Sequence, residues 1–178
     1  MLCGIDEAGR GSLAGPLVVA GVILEGKVDG LDDSKKLTEK RREQLFEEIV
    51  KKSAYEIVFT DNHTIDEVGL SKAISDSIEK ILEKLQPSIA IMDGNTNFGI
   101  LGVQALVKAD EKVPEVSAAS ILAKVSRDRY MIEIDKRYPE YGFKQHKGYG
   151  TKNHVEQIRI NGRSKLHRVS FFIKGLDG

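Results

Sequence analysis

The sequence predicts an α/β fold: one domain with a central, mixed five-stranded sheet flanked by helices, and a small helical portion at the C-terminal end. Three observations predict it. The 178 residues are enough to bury one hydrophobic core. Strand-like runs of Val, Ile and Leu cluster near the N-terminus, and strands then alternate with amphipathic helices. No repeat, linker or low-complexity segment divides the chain, so we expect residues 1–178 to form a single domain.

The first three strands are expected at about 2–6, 16–24 and 55–60, where β-branched and apolar residues dominate. A glycine-rich turn joins the first two, which favours an antiparallel start to the sheet. Two further strands, at 89–92 and 103–107, are expected to be parallel.

Helical patterns separate or follow these strands. The predicted helices are 38–52, 64–85 with a break near Gly69, 117–137, and 152–160. Tyr138-Pro139 stops the long third helix, because proline lacks the backbone N–H that a helix interior requires. The last helix belongs to the small C-terminal portion.

Charge is distributed unevenly, although the formal net charge is zero. Residues 144–178 contain eight of the 27 Lys and Arg but only two of the 27 Asp and Glu. This basic segment is suited to neutralising phosphates, and the acidic remainder contains candidates for binding divalent cations. A solvated surface patch is the alternative interpretation of the same pattern.

Several protein classes are excluded by simple features. No apolar run approaches the roughly 18 residues that a membrane-spanning helix needs, and the N-terminus has no basic region before an apolar stretch. We therefore expect a cytoplasmic protein that does not bind membranes. Cys3 is the single cysteine, which excludes an internal disulfide and favours a buried thiol.

Acidic residues occur at the ends of three predicted strands: Asp6, Asp93 and Asp110. Glu7 follows Asp6, and the next residues, Ala8-Gly9-Arg10-Gly11, suggest that the first strand stops there and lets both carboxylates converge. Clustered carboxylates repel unless a cation compensates, and hard oxygen ligands suit Mg²⁺ or Mn²⁺. The four histidines show no ligand spacing typical of zinc, so we expect His63 and His154 to lie on the surface.

The stretch Gly9–Ala14 also matches the dinucleotide-binding fingerprint G-x-G-x-x-A, with acids about twenty residues further on. That fingerprint requires a helix to open at the glycines. Here Pro16–Leu24 is rich in strand formers, which argues against a dinucleotide cofactor. Glycines beside carboxylates also let a backbone approach a nucleic-acid strand.

Two other segments carry weaker signals for nucleic-acid binding. Ser117, Ser120, Lys124 and Arg127 form one polar stripe on the long helix, facing either the acids or solvent. The loop 145–152 combines Tyr149 with basic and flexible residues.

Family motifs connect these segments. The matching stretches are Asp6–Gly11, Asp33–Leu37, Met92–Asn95, Ala109-Asp110, Ser117–Val125 with Arg127-Asp128, and Tyr141–Tyr149. Together they resemble ribonuclease HII, the type 2 ribonuclease H family, over nearly the whole chain. Val169 departs from the resemblance, because relatives often carry arginine there, and this puts substrate affinity rather than chemistry in question.

The resemblance implies a ribonuclease H-like fold in which Asp6, Glu7, Asp93 and Asp110 bind the metal. It implies that Gly9, Arg10, Gly11 and Tyr149 sense the ribose 2′-hydroxyl, and that Ser34 and Lys35 contact the nucleic-acid backbone. The further candidates for substrate binding are Asn95, Ser117, Lys124 and Lys147.

The implied activity is metal-dependent cleavage of the RNA strand of RNA/DNA hybrids, and of duplex DNA at embedded ribonucleotides, by a monomer. The products would carry 5′-phosphate and 3′-hydroxyl ends, with two Mg²⁺ or Mn²⁺ ions taking part. The alternative is a catalytically inactive nucleic-acid-binding module with the same fold, which the complete carboxylate set argues against.

Overall fold

The computed structural model describes residues 1–31 and 36–178. In these residues the strands are β1 (Leu2–Ala8), β2 (Leu17–Leu24), β3 (Ser53–Thr60), β4 (Ile89–Asp93) and β5 (Val103–Leu106). The helices are α1 (Glu39–Lys51), α2 (Asn62–Val68), α3 (Leu70–Leu85), α4 (Pro114–Asp135), α5 (Phe143–His146) and α6 (Lys152–Asn161). A short 3₁₀ helix spans Ala109–Glu111.

The strands form one sheet in the order β3-β2-β1-β4-β5. β1 pairs antiparallel with β2, and β2 pairs antiparallel with β3. β4 lies parallel to β1 on its other side and is followed by β5, also parallel. The predicted mixed, five-stranded sheet is confirmed, and β1 lies at its centre.

Of the element boundaries that differ from the prediction, two bear on the site. β1 continues through Ala8, because Glu7 and Ala8 still pair with Val19 and Val18 of β2. The long helix begins at Pro114 rather than Ser117, since proline at the first helical position has no N–H that needs an acceptor. The predicted break near Gly69 is confirmed: its φ of 87° ends α2 and precedes α3.

Hydrophobic clusters cover both faces of the sheet. On one face, Ala8, Val18, Ala20 and Val22 pack with buried residues of α1 and α4. On the other, Cys3, Ile5 and Leu17 pack with the apolar side of α3. Burial raises the pKa of the Cys3 thiol to about 12, so it is an inert core residue, as the sequence suggested.

Helix α4 lies directly against β1 at Gly4. A Cβ atom at this position would lie 2.1 Å from the carbonyl carbon of Glu115 and 2.2 Å from the nitrogen of Val116. Only a residue without a side chain allows the two backbones to approach so closely. Gly4 therefore sets the distance between the central strand and the first turn of the long helix.

None of the helices in residues 1–31 and 36–178 is long and apolar enough to span a membrane.

The Gly4 contact generates a prediction about stability. We expect Gly4→Ala to destabilise the protein by about 1–3 kcal/mol, because the added methyl group meets helix backbone that cannot rotate away. Thermal unfolding followed by circular dichroism would measure this. Gly26→Ala is the matched control, since a Cβ there has no neighbour within 4 Å. Equal melting temperatures for the two variants would contradict the expectation.

Candidate active site

The four predicted carboxylates lie where β1, β4 and β5 end, at one edge of the sheet that we call the acidic edge. Asp6 and Glu7 belong to the last part of β1, and Asp93 is the last residue of β4. Because β1 and β4 run parallel with Ile5 opposite Met92, the residues that follow, Asp6 and Asp93, reach the same edge. Asp110 is buried in the 3₁₀ helix that follows β5.

Hydrogen bonds hold these carboxylates individually. Asp6 Oδ1 accepts the Glu7 N–H at 2.8 Å, and Asp93 Oδ1 accepts the Ala109 N–H at 2.7 Å. The Asp93 bond ties the end of β4 to the 3₁₀ helix that carries Asp110. Glu7 Oε1 lies 3.5 Å from Arg10 Nη1.

The predicted reason for the convergence of Asp6 and Glu7 was wrong. β1 does not stop at these residues but continues through Ala8, so their side chains alternate across the strand. Asp6 shares the face of Gly4 and Ala8 and is buried, whereas Glu7 is half-buried at the rim. The two carboxyl groups still influence each other electrostatically.

Burial and like charges make the ionised cluster unfavourable. Burial, followed by the charge of Glu7 and then those of Asp93 and Asp110, raises the pKa of Asp6 well above its ordinary value. Burial also raises the pKa of Glu7, with Asp93 adding to it and the Arg10 guanidinium opposing it. A bound cation would relieve this repulsion.

The donor set fits a hard divalent cation. All candidate ligand atoms are carboxylate oxygens, which Mg²⁺ and Mn²⁺ prefer. Glu7 Oε2 is buried and has no hydrogen-bond donor within the described part of the chain. Among those same residues, however, no three acidic, histidine or cysteine side chains are arranged to hold a metal ion. Asp6, Glu7 and Asp93 instead keep separate local contacts, with the Glu7 N–H, Arg10 and the Ala109 N–H.

A cavity of about 320 Å³ opens beside Glu7. It is lined by Glu7, Ala8, Arg42, Ser120, Ile121, Lys124 and Tyr149. Lys124 Nζ forms an ion pair with Asp128 at 3.1 Å, and the Arg42 guanidinium donates to the carbonyl of Leu37 at 2.7 Å. The cavity thus places two cations next to an acidic edge, an arrangement suited to a phosphodiester.

Two buried arginines shape the glycine-rich loop, residues 9–16. Arg127 donates to the carbonyl oxygens of Pro16, Ala14 and Lys147 at 2.7–2.9 Å. Arg168 donates to the carbonyl oxygens of Gly15, Arg10 and Gly9 at 2.6–3.1 Å. Burial lowers the pKa of Arg168 to about 10, so its guanidinium stays charged at neutral pH.

Because these carbonyls turn inward, backbone donors are left on the outer side of the loop. The N–H groups of Arg10 and Gly11 have no acceptor in residues 1–31 and 36–178. Gly11 is exposed, and a Cβ there would meet nothing within 4 Å. Gly9 is different: its φ is 84°, and a Cβ would lie 2.0 Å from Nε of Arg127. Gly9 therefore serves packing, and Gly11 leaves room for a ligand.

Tyr149 joins this loop to the cavity. Its hydroxyl oxygen accepts the Gly9 N–H at 3.1 Å. The Arg127 and Lys124 cations lie 5.2 Å and 5.8 Å from the centre of its ring. The structure therefore brings Tyr149, Gly9 and Lys124, predicted from three separate segments, to one place.

Other predicted substrate contacts have varied locations. Asn95 is exposed in the turn after Asp93, and Lys147 is half-buried at the end of α5. Ser117 is buried and its hydroxyl donates to the carbonyl of Leu31, so it faces the protein rather than a ligand. Ser34 and Lys35 lie outside the described residues.

The dinucleotide-binding alternative is excluded by the backbone. Its fingerprint requires a helix after the glycines, whereas the loop here leads directly into β2 at Leu17. Strand propensity correctly distinguished the two cases.

Sequence reasoning missed residues whose roles depend on distant parts of the chain. Along the sequence, Arg42 is one cation among several in α1, and Arg168 is one of the eight basic residues of segment 144–178. Arg168 is in fact fully buried, while Arg159 and Arg163 pair with Glu156 and Asp177. These three arginines are therefore not an open phosphate-binding surface.

Three of the four histidines form a buried cluster. His154 and His167 are 0% and 2% exposed, so the expected surface position of His154 was wrong, while His63 is exposed as expected. Burial lowers the pKa values of His154 and His167 to about 4. The cluster packs against Phe143 in the C-terminal portion.

The chain matches known proteins over almost its full length. The family model of ribonuclease HII matches residues 3–174. A ribonuclease HII from Aliarcobacter butzleri (strain RM4018) is 60% identical, covering 98% of this chain and 92% of the relative. The structure of the PCNA:RNase HII complex from Archaeoglobus fulgidus matches with a TM-score of 0.82 and 33% identity, over 95% of this chain and 92% of that chain. Ribonuclease H2 from Pyrococcus horikoshii OT3 matches with a TM-score of 0.77 and 29% identity, over 96% and 93%. The predicted ribonuclease H-like fold is confirmed.

The carboxylate repulsion predicts a gain in stability when a charge is removed. We expect Asp6→Asn to raise the melting temperature of the metal-free protein by a few degrees, at about 2–4 °C per kcal/mol of repulsion relieved. The amide oxygen can still accept the Glu7 N–H. Differential scanning calorimetry in EDTA would measure the shift, with the exposed Glu67→Gln as control. A melting temperature below that of the unmodified protein would contradict the electrostatic account.

The buried histidines predict acid sensitivity with a defined sign. Above pH 6.5 they are neutral in both the folded and the unfolded state, and their contribution is fully present. As the pH falls from 6.5 towards 4, the unfolded chain binds protons that the folded cluster resists, so stability is lost. Around these rings, Arg163 and the other histidines oppose protonation.

Urea denaturation between pH 7 and 4.5 would test this. We expect the free energy of unfolding to decrease less steeply for His154→Asn than for the unmodified protein, because asparagine does not titrate in this range. Parallel curves for the two proteins would show that the histidine does not carry the pH dependence.

Proposed function

This chain belongs to the ribonuclease HII family, and we propose that it is an endonuclease that cuts the RNA strand of RNA/DNA hybrids and duplex DNA at embedded ribonucleotides. The observation that carries the proposal is the hydrogen bond between Tyr149 and Gly9, which is formed beside the acidic edge. It joins two of the residues expected to recognise ribose, and Tyr149 lines the same cavity as the carboxylate Glu7.

Enzymes of this family depend on metal, and the carboxylates supply the matching ligands. Asp6, Glu7, Asp93 and Asp110 would hold Mg²⁺ or Mn²⁺, with two ions taking part. When bound, such ions activate water and stabilise the leaving 3′-oxygen, which gives 5′-phosphate and 3′-hydroxyl ends. The raised pKa values of Asp6 and Glu7 support this assignment, since the cluster gains most from a compensating cation.

Cationic and polar side chains in the cavity would position the scissile strand. Lys124 and Arg42 face the same space as Glu7 and are placed to neutralise phosphate charge. Ser120 adds a hydroxyl donor on the adjacent turn of α4. Ser34, Lys35, Asn95 and Lys147 remain proposed contacts to the nucleic-acid backbone.

Recognition of ribose would depend on donors that a deoxyribose cannot satisfy. The outward N–H groups of Arg10 and Gly11 can donate to the 2′-oxygen or the adjoining phosphate. The Tyr149 oxygen already accepts from Gly9, so its hydroxyl proton is available for a substrate acceptor. The carboxylates would support hydrolysis, and the donors of Arg10, Gly11 and Tyr149 would determine which phosphodiester bond is cut.

We further propose that residues 1–178 form one catalytic domain that acts as a monomer, with the basic segment 144–178 contributing Lys147 and Tyr149. An inactive binding module is the weaker candidate, because an unused carboxylate cluster would only destabilise the fold.

A cleavage assay tests this proposal. A labelled DNA duplex with one ribonucleotide should be cut at that position with Mg²⁺ or Mn²⁺ and left intact with EDTA. Asp93→Asn and Asp110→Asn should each abolish cutting without unfolding the protein, because each removes a proposed metal ligand. Glu67→Gln, an exposed acid of α2, should cut normally.

Two results would contradict the proposal. Cleavage of an all-DNA duplex would refute the selectivity for ribose. Metal-independent binding of a hybrid by a protein that never cuts would favour the inactive module.

A further inference from the structure

A directional chain of hydrogen bonds runs through two buried histidines and ends on the backbone of Tyr149. His167 Nδ1 accepts from the N–H of Ser164 at 2.8 Å. His167 Nε2 lies 2.9 Å from His154 Nε2, and His154 Nδ1 lies 2.8 Å from the carbonyl oxygen of Tyr149. The proposed reaction uses neither imidazole directly.

The partners at the two ends determine which nitrogen of each ring carries the proton. A backbone N–H can only donate, so His167 Nδ1 is the acceptor and its proton sits on Nε2. That proton points at His154 Nε2, which must accept it. His154 therefore carries its own proton on Nδ1 and donates it to the Tyr149 carbonyl, which can only accept.

The third histidine supports the same segment. His146 Nδ1 accepts the Gly148 N–H at 3.1 Å, and its Nε2 lies 2.7 Å from the carbonyl oxygen of Tyr141. Its ring stacks on His154 with centroids 4.0 Å apart. The turn that carries Tyr149 is therefore hydrogen-bonded to two imidazoles, His146 at Gly148 and His154 at Tyr149.

This turn has little regular structure to hold it. Tyr149 lies between α5 and α6, after Lys147 and Gly148 with φ values of 55° and 88°. Its carbonyl accepts from His154 and from the N–H of Thr151 at 2.8 Å. His154 is therefore the side chain that anchors the backbone of Tyr149.

We propose that His154, held in its Nδ1–H form by His167, is a positioning residue that sets the place of the Tyr149 hydroxyl and thereby the recognition of ribose. The inference rests on the proposed function, in which Tyr149 contacts the ribonucleotide. Displacement of a recognition group by about 1 Å is enough to weaken such a contact strongly.

A double-mutant cycle tests the positioning role. On a duplex with one ribonucleotide, we expect His154→Leu to lower kcat/KM about three- to tenfold, as for loss of a well-made hydrogen bond. Tyr149→Phe should show a comparable loss. In the Tyr149→Phe background, His154→Leu should add little, because the hydroxyl that it positions is already absent.

Two further variants separate positioning from folding. His154→Asn keeps an N–H donor near the place of Nδ1 and should lose less activity than His154→Leu. His63→Leu replaces the exposed histidine of α2 and should behave as the unmodified protein. The dependence of the rate on Mg²⁺ concentration should be the same in all histidine variants, since none touches the carboxylates.

Long-range ¹H–¹⁵N NMR spectra of the imidazoles provide a readout that does not require activity. At pH 7 we expect the neutral Nδ1–H form for His154 and the Nε2–H form for His167. In His167→Leu, the share of the Nδ1–H form of His154 should fall, because only the Tyr149 carbonyl still selects it and Nε2 no longer faces a donor.

The outcomes distinguish the inference from the proposed function. The inference would be overturned if His154→Leu lowered kcat/KM by the same factor in the unmodified protein and in Tyr149→Phe. It would also be overturned if the NMR spectra showed the opposite proton positions. Neither result would affect the endonuclease assignment. If the unmodified protein fails to cut the ribonucleotide-containing duplex, the proposed function and the recognition role of His154 fall together, even if the predicted proton positions are observed.

Discussion

The contact between the backbones of α4 and β1 at Gly4 is the constraint on which the site depends. It places the longest helix across the central strand, so that side chains roughly one to three turns beyond the contact reach the end of β1. Ser120 and Lys124 then face Glu7, and Arg127 reaches the loop that follows the strand. A side chain at Gly4 would separate the acidic edge from the cations that accompany it.

The glycine-rich loop owes its shape to charge rather than to regular secondary structure. Arg127 and Arg168 are almost fully buried, and within the described residues their guanidinium groups donate to backbone carbonyls. A buried guanidinium is costly unless its N–H groups are satisfied, so the loop must keep its carbonyls turned inward. The outward N–H groups of Arg10 and Gly11 follow from that requirement. The donors proposed to recognise ribose thus depend on two arginines that are themselves buried.

The buried charges of the glycine-rich loop and of the acidic edge are stabilised in different ways. The arginines are stabilised by neutral carbonyl dipoles, whereas Asp6 and Glu7 lie among like charges and have raised pKa values. The first arrangement is satisfied by groups of the protein itself. The second gains from a cation that the protein itself does not supply, which is the condition expected of a metal-dependent enzyme.

The mixed sheet and the main helices could be predicted from the chain alone, because they depend on local periodicity. Three of the four candidate carboxylates were found as acids at predicted strand ends, and the family resemblance supplied the common metal-binding role proposed for all four. Only the packing of the whole chain shows which polar residues lie inside the protein: Ser117 donates to the carbonyl of Leu31, Arg168 is buried against the glycine-rich loop, and His154 is hydrogen-bonded to His167. Strand and helix periods report the face on which a side chain lies, but not what the rest of the chain places against it. The partners of Arg168 are more than 150 positions away, and only packing brings them together.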